Sequence, residues 1–241
     1  MLLFKPKTPP KIHGIDLHLG SVNQMLSKLC EDGQKSPLII ADPPWSYDNA
    51  PGNMNPGKSR FISETGAPVY ATTTMEEIAE VLKTTEKIAA PGARLVVWCT
   101  FPQLGDWMEA HNAIKPWSYV TGGAWHKAGL GGGMGWHWLG RTEPVLIYRN
   151  KGKLINRWDQ LKNSHISTPG KHSEKPWPWM AEWLRRWTNP GDLVVDIYAG
   201  LGPLARACYA TGRRYIGAEI CPDRHHLAMC KLTEFKTQQM E

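Results

Sequence analysis

The sequence predicts an α/β fold, a doubly wound and mostly parallel sheet with helices on both faces. Two observations carry this. Short apolar runs with β-branched content recur along the chain ("SPLIIAD", "GARLVVWCT", "PVLIYR", "DLVVDIY" and "RRYIGAEI"), and near-continuous apolar strands belong to a sheet covered on both sides. The intervals between them are long enough for helices, and several carry helical periodicity.

In chain order, "LIIADPPWSYDN" (38–49) reads as a buried strand stopped by an acid, two prolines and a tryptophan. "TTTMEEIAEVLKTTEKI" places Thr73 three residues before Glu76, the spacing of a capping box, with Ile78, Val81 and Leu82 on one helical face. "KPWPWMAEWLRRW" sets Trp179, Trp183 and Trp187 four apart, a stripe expected to pack on the sheet as core. "PLARACYATG" opens on Pro203, well tolerated at a helix start, and ends at Gly212, an expected C-cap.

The 241 residues fit one α/β domain, read as spanning 1–241. Two stretches are expected to be lids or recognition loops over a site: about 48–70, rich in Gly, Pro and Asn, and about 127–171, whose first part, 127–140, packs glycines beside Trp136, His137 and Trp138. The glycines of the second do not end in Gly-Lys-Ser/Thr, which excludes a phosphate-cradling P-loop. A formal charge of +6 favours an anionic partner such as nucleic acid. The five cysteines form no CxxC pair and have no histidines at zinc spacing, so a reduced cytosolic chain without metal is expected. No apolar run approaches the roughly 18 residues of a membrane span, and a cytoplasmic, non-membrane protein is the expectation.

Chemistry concentrates first in "GDLVVDIYAGLGPLARACYATGRRYIGAEI". A strand ends at Asp196, Gly200 and Gly202 follow in a tight turn, a helix begins, and a second strand ends at Glu219. This is the logic of a Rossmann-like βαβ unit, in which glycines admit a ligand to the backbone and an acid about 20 residues on takes the ribose hydroxyls. The third glycine of the dinucleotide fingerprint is missing, which favours S-adenosyl-L-methionine over a pyrophosphate-bearing cofactor.

The order strand-DPPW, then "HSEKP", then Asp-x-x-x-Gly-x-Gly with a distal Glu, over about residues 38–230, resembles the circularly permuted β-class amino-methyltransferases. The tryptophan of DPPW points to the adenine-N6 family that includes the catalytic subunit of the eukaryotic messenger-RNA adenosine methyltransferase and bacterial and phage DNA methyltransferases. The resemblance implies methyl transfer to adenine N6 in DNA with base flipping. RNA is the competing polymer, and a non-catalytic nucleic-acid-binding scaffold of the same fold is the reading from another class. Cytosine-N4 methylation ranks lower, because that group more often has Ser where Asp42 stands.

The implied catalytic set is Asp42, Pro43, Pro44 and Trp45. Asp42 and the Pro43 carbonyl would accept the amino hydrogens, the prolines would hold that carbonyl rigidly, and Trp45 would stack on the extruded base. The implied cofactor set is Asp42, Lys175, Pro176, Asp196, Tyr198, Gly200, Gly202 and Glu219. Where relatives carry Gly-Asp before the DPPW strand, this chain has Gly20-Ser21, and Ser21 can still hydrogen-bond. His172 is read as a solvated loop histidine. Candidate nucleic-acid contacts are Lys58, Arg60, Trp136, His137, Trp138, Arg141, Lys151, Lys153 and Arg157, with Lys162 and Trp158 in the same interval. The sequence leaves the target motif, strandedness and oligomeric state open, a homodimer included. The resemblance places the protein in a bacterial or phage-infected cell.

Overall fold

A computed structural model describes residues 12–44, 73–129, 140–154, 161–169 and 174–239. Eight strands form one sheet: β1 (Ile15–Leu19), β2 (Ser36–Ala41), β3 (Ala89–Trp98), β4 (Ser118–Lys127), β5 (Thr142–Arg149), β6 (Ser164–Ser167), β7 (Leu193–Asp196) and β8 (Arg214–Glu219). Their spatial order is β1-β8-β7-β2-β3-β5-β4-β6. The run from β1 to β3 is parallel throughout. β5 is antiparallel to both β3 and β4, and β6 returns parallel to β4. The mostly parallel α/β sheet is thus as expected from the apolar runs.

Helices cover both faces: α1 (Val22–Glu31), α2 (Met75–Thr84) and α3 (Leu104–Ala110) on one, α4 (Trp177–Trp187), α5 (Pro203–Thr211) and α6 (Pro222–Gln238) on the other. The two-residue strand period divides the core. Ile39, Ala41, Leu95 and Val97 pack with Leu26, Ile78, Leu82 and Trp107, whereas Leu38, Ile40, Val96 and Trp98 pack with Trp183, Leu184, Leu204 and Leu232. The tryptophan stripe is core, as predicted. Trp183 lies 4.6 Å from Trp179, 5.8 Å from Trp98 and 5.9 Å from Trp187 between ring centroids, and all four are buried. Among the described residues, no helix is long and apolar enough to cross a membrane.

β1, β4 and β6 escape a pattern reading, whereas β5 contains the run "PVLIYR". β1 is short and only half buried, at the sheet edge. β4 contains Gly122 and Gly123, and no sequence pattern marked it as a strand. A Cβ on Gly123 would stand 2.6 Å from the Asn163 carbonyl, so glycine here lets the backbone leading into β6 approach. β5 and β6 both fall inside 127–171, so that interval is not loop throughout. Residues 48–70 lie outside the described residues, as do 130–139.

The start of α2 also corrects the expected register. The N-cap is Thr74, not Thr73. Its hydroxyl accepts from Glu77 N at 3.2 Å, and Glu77 Oε2 accepts from Thr74 N at 3.0 Å. The string "TTTMEE" offers the same chemistry in two registers, and the backbone N–H of Thr73 is instead donated to the Pro44 carbonyl at 3.1 Å. Thr74→Ala is expected to destabilise the protein by about 1 kcal/mol in urea unfolding. A loss on Thr73→Ala in its place would return the cap to that residue.

Candidate active site

In parallel α/β sheets, ligands gather beyond the carboxyl ends of the strands, and three acids meet there. Asp196 pairs with Ile40 on β2 and Gly217 on β8; Asp42 and Glu219 each stand two residues further along. The strand ends are tied together past the ladder. Ile197 N donates to Ile40 O at 2.9 Å, Ala199 N to Ala218 O at 2.9 Å, and Gly20 N to Glu219 O at 3.0 Å.

Between β7 and α5 the chain turns through Gly200 (φ +54°) and Gly202 (φ +71°), left-handed backbone that suits glycine. Among the described residues, chain neighbours apart, no atom stands within 4 Å of where a Cβ on Gly200 would lie, so this backbone faces open space there. The Glu219 carboxylate accepts from Cys221 N at 2.8 Å. Burial raises its pKa, against the opposing pull of the Cys221, Gly200 and Ile220 backbone N–H groups and the Arg224 guanidinium. Ser21 caps α1 beside this strand end, its hydroxyl accepting from Gln24 N at 3.3 Å. Tyr198 turns toward the core beneath α1 and α2.

Asp42 does not stand alone. Its Oδ2 lies 2.8 Å from Lys175 Nζ, and the same ammonium is 3.2 Å from Glu143 Oε2. Glu143 Oε1 is also paired with Lys127. Lys175 lies over the Trp98 ring, 5.3 Å from its centroid. The Asp42 side chain retains 34% of its surface, yet protein encloses it closely enough that burial dominates. Its pKa is raised by burial, and further by Glu143, with Lys175 and Arg224 opposing. For Glu143, burial pushes the pKa upward, but the two ammonium groups, Lys175 foremost, outweigh it and hold the carboxyl below its usual range. The segment preceding α4 is anchored at Glu174, whose buried carboxylate binds Arg206 of α5 and Lys231 of α6, the latter at 2.7 Å. Pro176 is the N-cap residue of α4.

Asp196 is 4% exposed and accepts a hydrogen bond from Tyr215 Oη at 3.1 Å. Burial, aided by the charges of Asp42 and Glu219, pushes its pKa up to about 7. The folded state therefore holds this proton more tightly than the unfolded chain, whose Asp titrates near ~4. The resulting stability is present below that unfolded value and is lost as pH rises through about 7. Asp196→Asn is expected to flatten this decline, read as unfolding free energy in urea from pH 4 to 8. Equal slopes in the two proteins would overturn the assignment.

Apart from Tyr198, which packs against the core, and Pro44, whose carbonyl accepts from Thr73 N, the sequence-predicted site residues fall into three groups. Asp42, Pro43, Lys175, Pro176, Asp196, Gly200, Gly202 and Glu219 come together at one edge of the sheet. Arg141 joins them at the start of β5, where its carbonyl accepts from Lys127 N. Lys151 and Lys153 do not. They follow β5 at its far end, with Gly92 N donating to Lys151 O at 2.9 Å beside the start of β3, because β5 runs antiparallel and carries the chain to the opposite edge. Trp45, Lys58, Arg60, Trp136, His137, Trp138, Arg157, Trp158 and His172 lie outside the described residues. Pattern reading missed Glu143, Lys127 and Glu174. The available signal was an acid at the head of the apolar strand "EPVLIYR", since a buried carboxylate demands a partner.

Comparison with known proteins gives the family and the fold. Residues 37–229 match the family N6_N4_Mtase, described as DNA methylase. A curated relative, the Type II methyltransferase M.HhaII of Haemophilus parahaemolyticus, is 26% identical over 180 residues, 69% of this chain and 74% of the relative. Among solved structures, the M1.HpyAVI–SAM complex superposes with a TM-score of 0.67 at 18% identity, covering 90% of this chain and 98% of that one. PvuII DNA methyltransferase, described as cytosine-N4-specific, superposes with a TM-score of 0.61 at 13% identity, covering 96% of each chain. The match over residues 37–229 places this chain in the N6/N4 DNA methylase family.

Proposed function

We propose that this DNA methyltransferase moves a methyl group from S-adenosyl-L-methionine to the N6 amino group of an adenine turned out of the DNA stack. The observation that carries this reading is the placement of Asp42, at the end of β2 beside the glycine turn and Glu219, with Lys175 on one of its oxygens. The fit to the cofactor rests on that turn. Gly200 faces open space, and Glu219 offers a carboxylate at the strand end for a ribose diol. When bound, the cofactor supplies an electrophilic methyl on a positively charged sulfur.

The protein's task is then to prepare the amine. The lone pair of adenine N6 is delocalised into the ring, so acceptors for its two hydrogens must draw it out of conjugation toward the methyl. Asp42 and the Pro43 carbonyl fill these roles. Two consecutive prolines fix φ and restrict the backbone that aims the carbonyl. Asp42 acts by orientation and electrostatics, because the amine becomes acidic only as the methyl arrives. Trp45 would stack on the extruded base, and Arg141, on the same edge as Asp42, would meet a phosphate. Lys151 and Lys153, at the opposite edge, contribute to binding only if the DNA reaches around the sheet.

Cytosine-N4 transfer is the second reading, prompted by the fold shared with the PvuII enzyme. A carboxylate at position 42 favours adenine, since an acid there is the feature of the adenine family that the sequence resembles. The test is transfer of isotopically labelled methyl to unmethylated double-stranded DNA, single-stranded DNA and RNA, followed by nucleoside mass spectrometry. The expected product is N6-methyladenine in DNA, formed less well as salt rises. N4-methylcytosine would replace the adenine assignment, label confined to RNA would change the polymer, and no transfer with no cofactor binding would leave a nucleic-acid-binding scaffold.

A further inference from the structure

The site contains more charge than an acceptor carboxylate requires. A lysine beside Asp42 would by itself balance the acid. Instead, four groups from four parts of the fold form a chain: Asp42 after β2, Lys175 before α4, Glu143 near the start of β5, and Lys127 at the end of β4. The Lys127, Glu143 and Lys175 side chains each retain only about a tenth of their surface. Antiparallel pairing places Glu143 at this edge, since Cys99 N, just past β3, donates to the Pro144 carbonyl at 3.1 Å. Taking a carboxylate and two ammonium groups out of water is costly, and a hydrophobic replacement of such an array is often no less stable. Stability alone is therefore a poor reason for the array.

We propose that Glu143, held by Lys127, is a positioning residue that takes a share of the Lys175 ammonium and so sets how tightly Lys175 holds Asp42 while the amino group approaches. This rests on Asp42 being the amino-hydrogen acceptor. A lysine bound only to Asp42 would press on the lone pairs that the substrate needs. A lysine divided between two carboxylates holds Asp42 less tightly and leaves its lone pairs to the substrate, while the second attachment fixes where the ammonium sits. Among the described residues, the charges facing Asp42 from the surrounding elements are Lys175, Glu143, Arg224 of α6 and Asp196 of β7, with the Cys99 thiol beyond β3. Of these, Glu143 alone shares the Lys175 ammonium with Asp42 in a direct ion pair.

The experiment follows Asp42 directly, in the full chain, by NMR titration of ¹³C-carboxyl-labelled aspartate, with the signal assigned through Asp42→Asn. Glu143→Gln removes a negative charge and one carboxylate's claim on the Lys175 ammonium, so the Asp42 midpoint is expected to move to lower pH. Methyl transfer is expected to lose about 10-fold to 100-fold in kcat, the scale of a small misplacement of reacting groups. The acid limb of its kcat/KM profile should move to lower pH with the midpoint. Glu143→Asp should recover part of the rate. Lys127→Met should add little in the Glu143→Gln background, because Lys127 acts through Glu143. Should Glu143→Gln alone fail to fold, the charge-balanced pair Glu143→Gln with Lys127→Gln carries the same titration. An unmoved Asp42 midpoint would overturn the proposal, as would a rate lost without a change in pH profile. A moved midpoint in a protein whose wild type transfers no methyl would overturn the reaction reading and leave the charge coupling standing.

Discussion

Asp42→Ala is expected to lower methyl transfer by about 10²-fold to 10⁴-fold, the range for loss of a positioned proton acceptor, without unfolding the protein. The side chain stands past the end of β2 and retains 34% of its surface, so little core is lost with it. Lys175 is not stranded either, since Glu143 Oε2 remains 3.2 Å away. The loss should fall chiefly on kcat, because an acceptor that draws out the amine lone pair matters most as the methyl bond forms. Asp42→Asn keeps the shape and one acceptor but not the charge. It should therefore still be strongly impaired, which separates electrostatics from packing. Initial rates with labelled cofactor, beside calorimetric cofactor binding and circular dichroism, provide the check. Full activity in the alanine variant would remove Asp42 from the chemistry altogether.

Trp183→Ala is expected to cost about 3–5 kcal/mol of folding free energy, a large share of the about 5–15 kcal/mol typical of whole proteins. Trp183 is 2% exposed and packs against Trp98, Trp179 and Trp187. Alanine would leave a void among rings that have no freedom to collapse into it, so the lost contacts are not recovered. Trp98 lies at the end of β3 beneath Lys175, and α4 follows Lys175 directly, so the damage should reach the site. Urea unfolding measures the cost. Trp183→Phe, which retains a ring, should recover part of it. A loss below about 1 kcal/mol, the centre of ordinary point mutations, would mean that the cluster is not the keystone of this face.

Much of the fold is legible in the chain because burial writes a local pattern. β2, β3, β7 and β8 are apolar on both faces, as strands inside a covered sheet must be, and the Trp179, Trp183 and Trp187 spacing announces the buried side of α4. Strands that are exposed or shaped by a neighbour give no such signal. β1, at the sheet edge, is half exposed, and β4, between β5 and β6, carries glycines for the backbone of its neighbour rather than for its own turn. The α2 cap shows the limit of local chemistry. Thr73 and Thr74 are equivalent in sequence, and a long-range hydrogen bond to Pro44 decides between them.

The same division holds for the site. Asp42, Lys175, Gly200, Gly202 and Glu219 are announced by motifs, since a rigid carbonyl, a left-handed turn and a strand-end acid each need particular residues in a short span. Lys127 and Glu143 belong to no motif. They reach Lys175 because β5 runs antiparallel to β3 and β4, which returns the start of β5 to the edge where β2, β7 and β8 end. The same reversal carries Lys151 and Lys153, two basic residues plausible in sequence as DNA contacts, to the far side of the sheet. The sequence by itself determined the fold class and announced the motif residues of the candidate site, because both depend on neighbours along the chain. Tertiary structure decided which charges share that site, because Coulomb attraction between buried groups depends on distance in space and strand direction sets that distance.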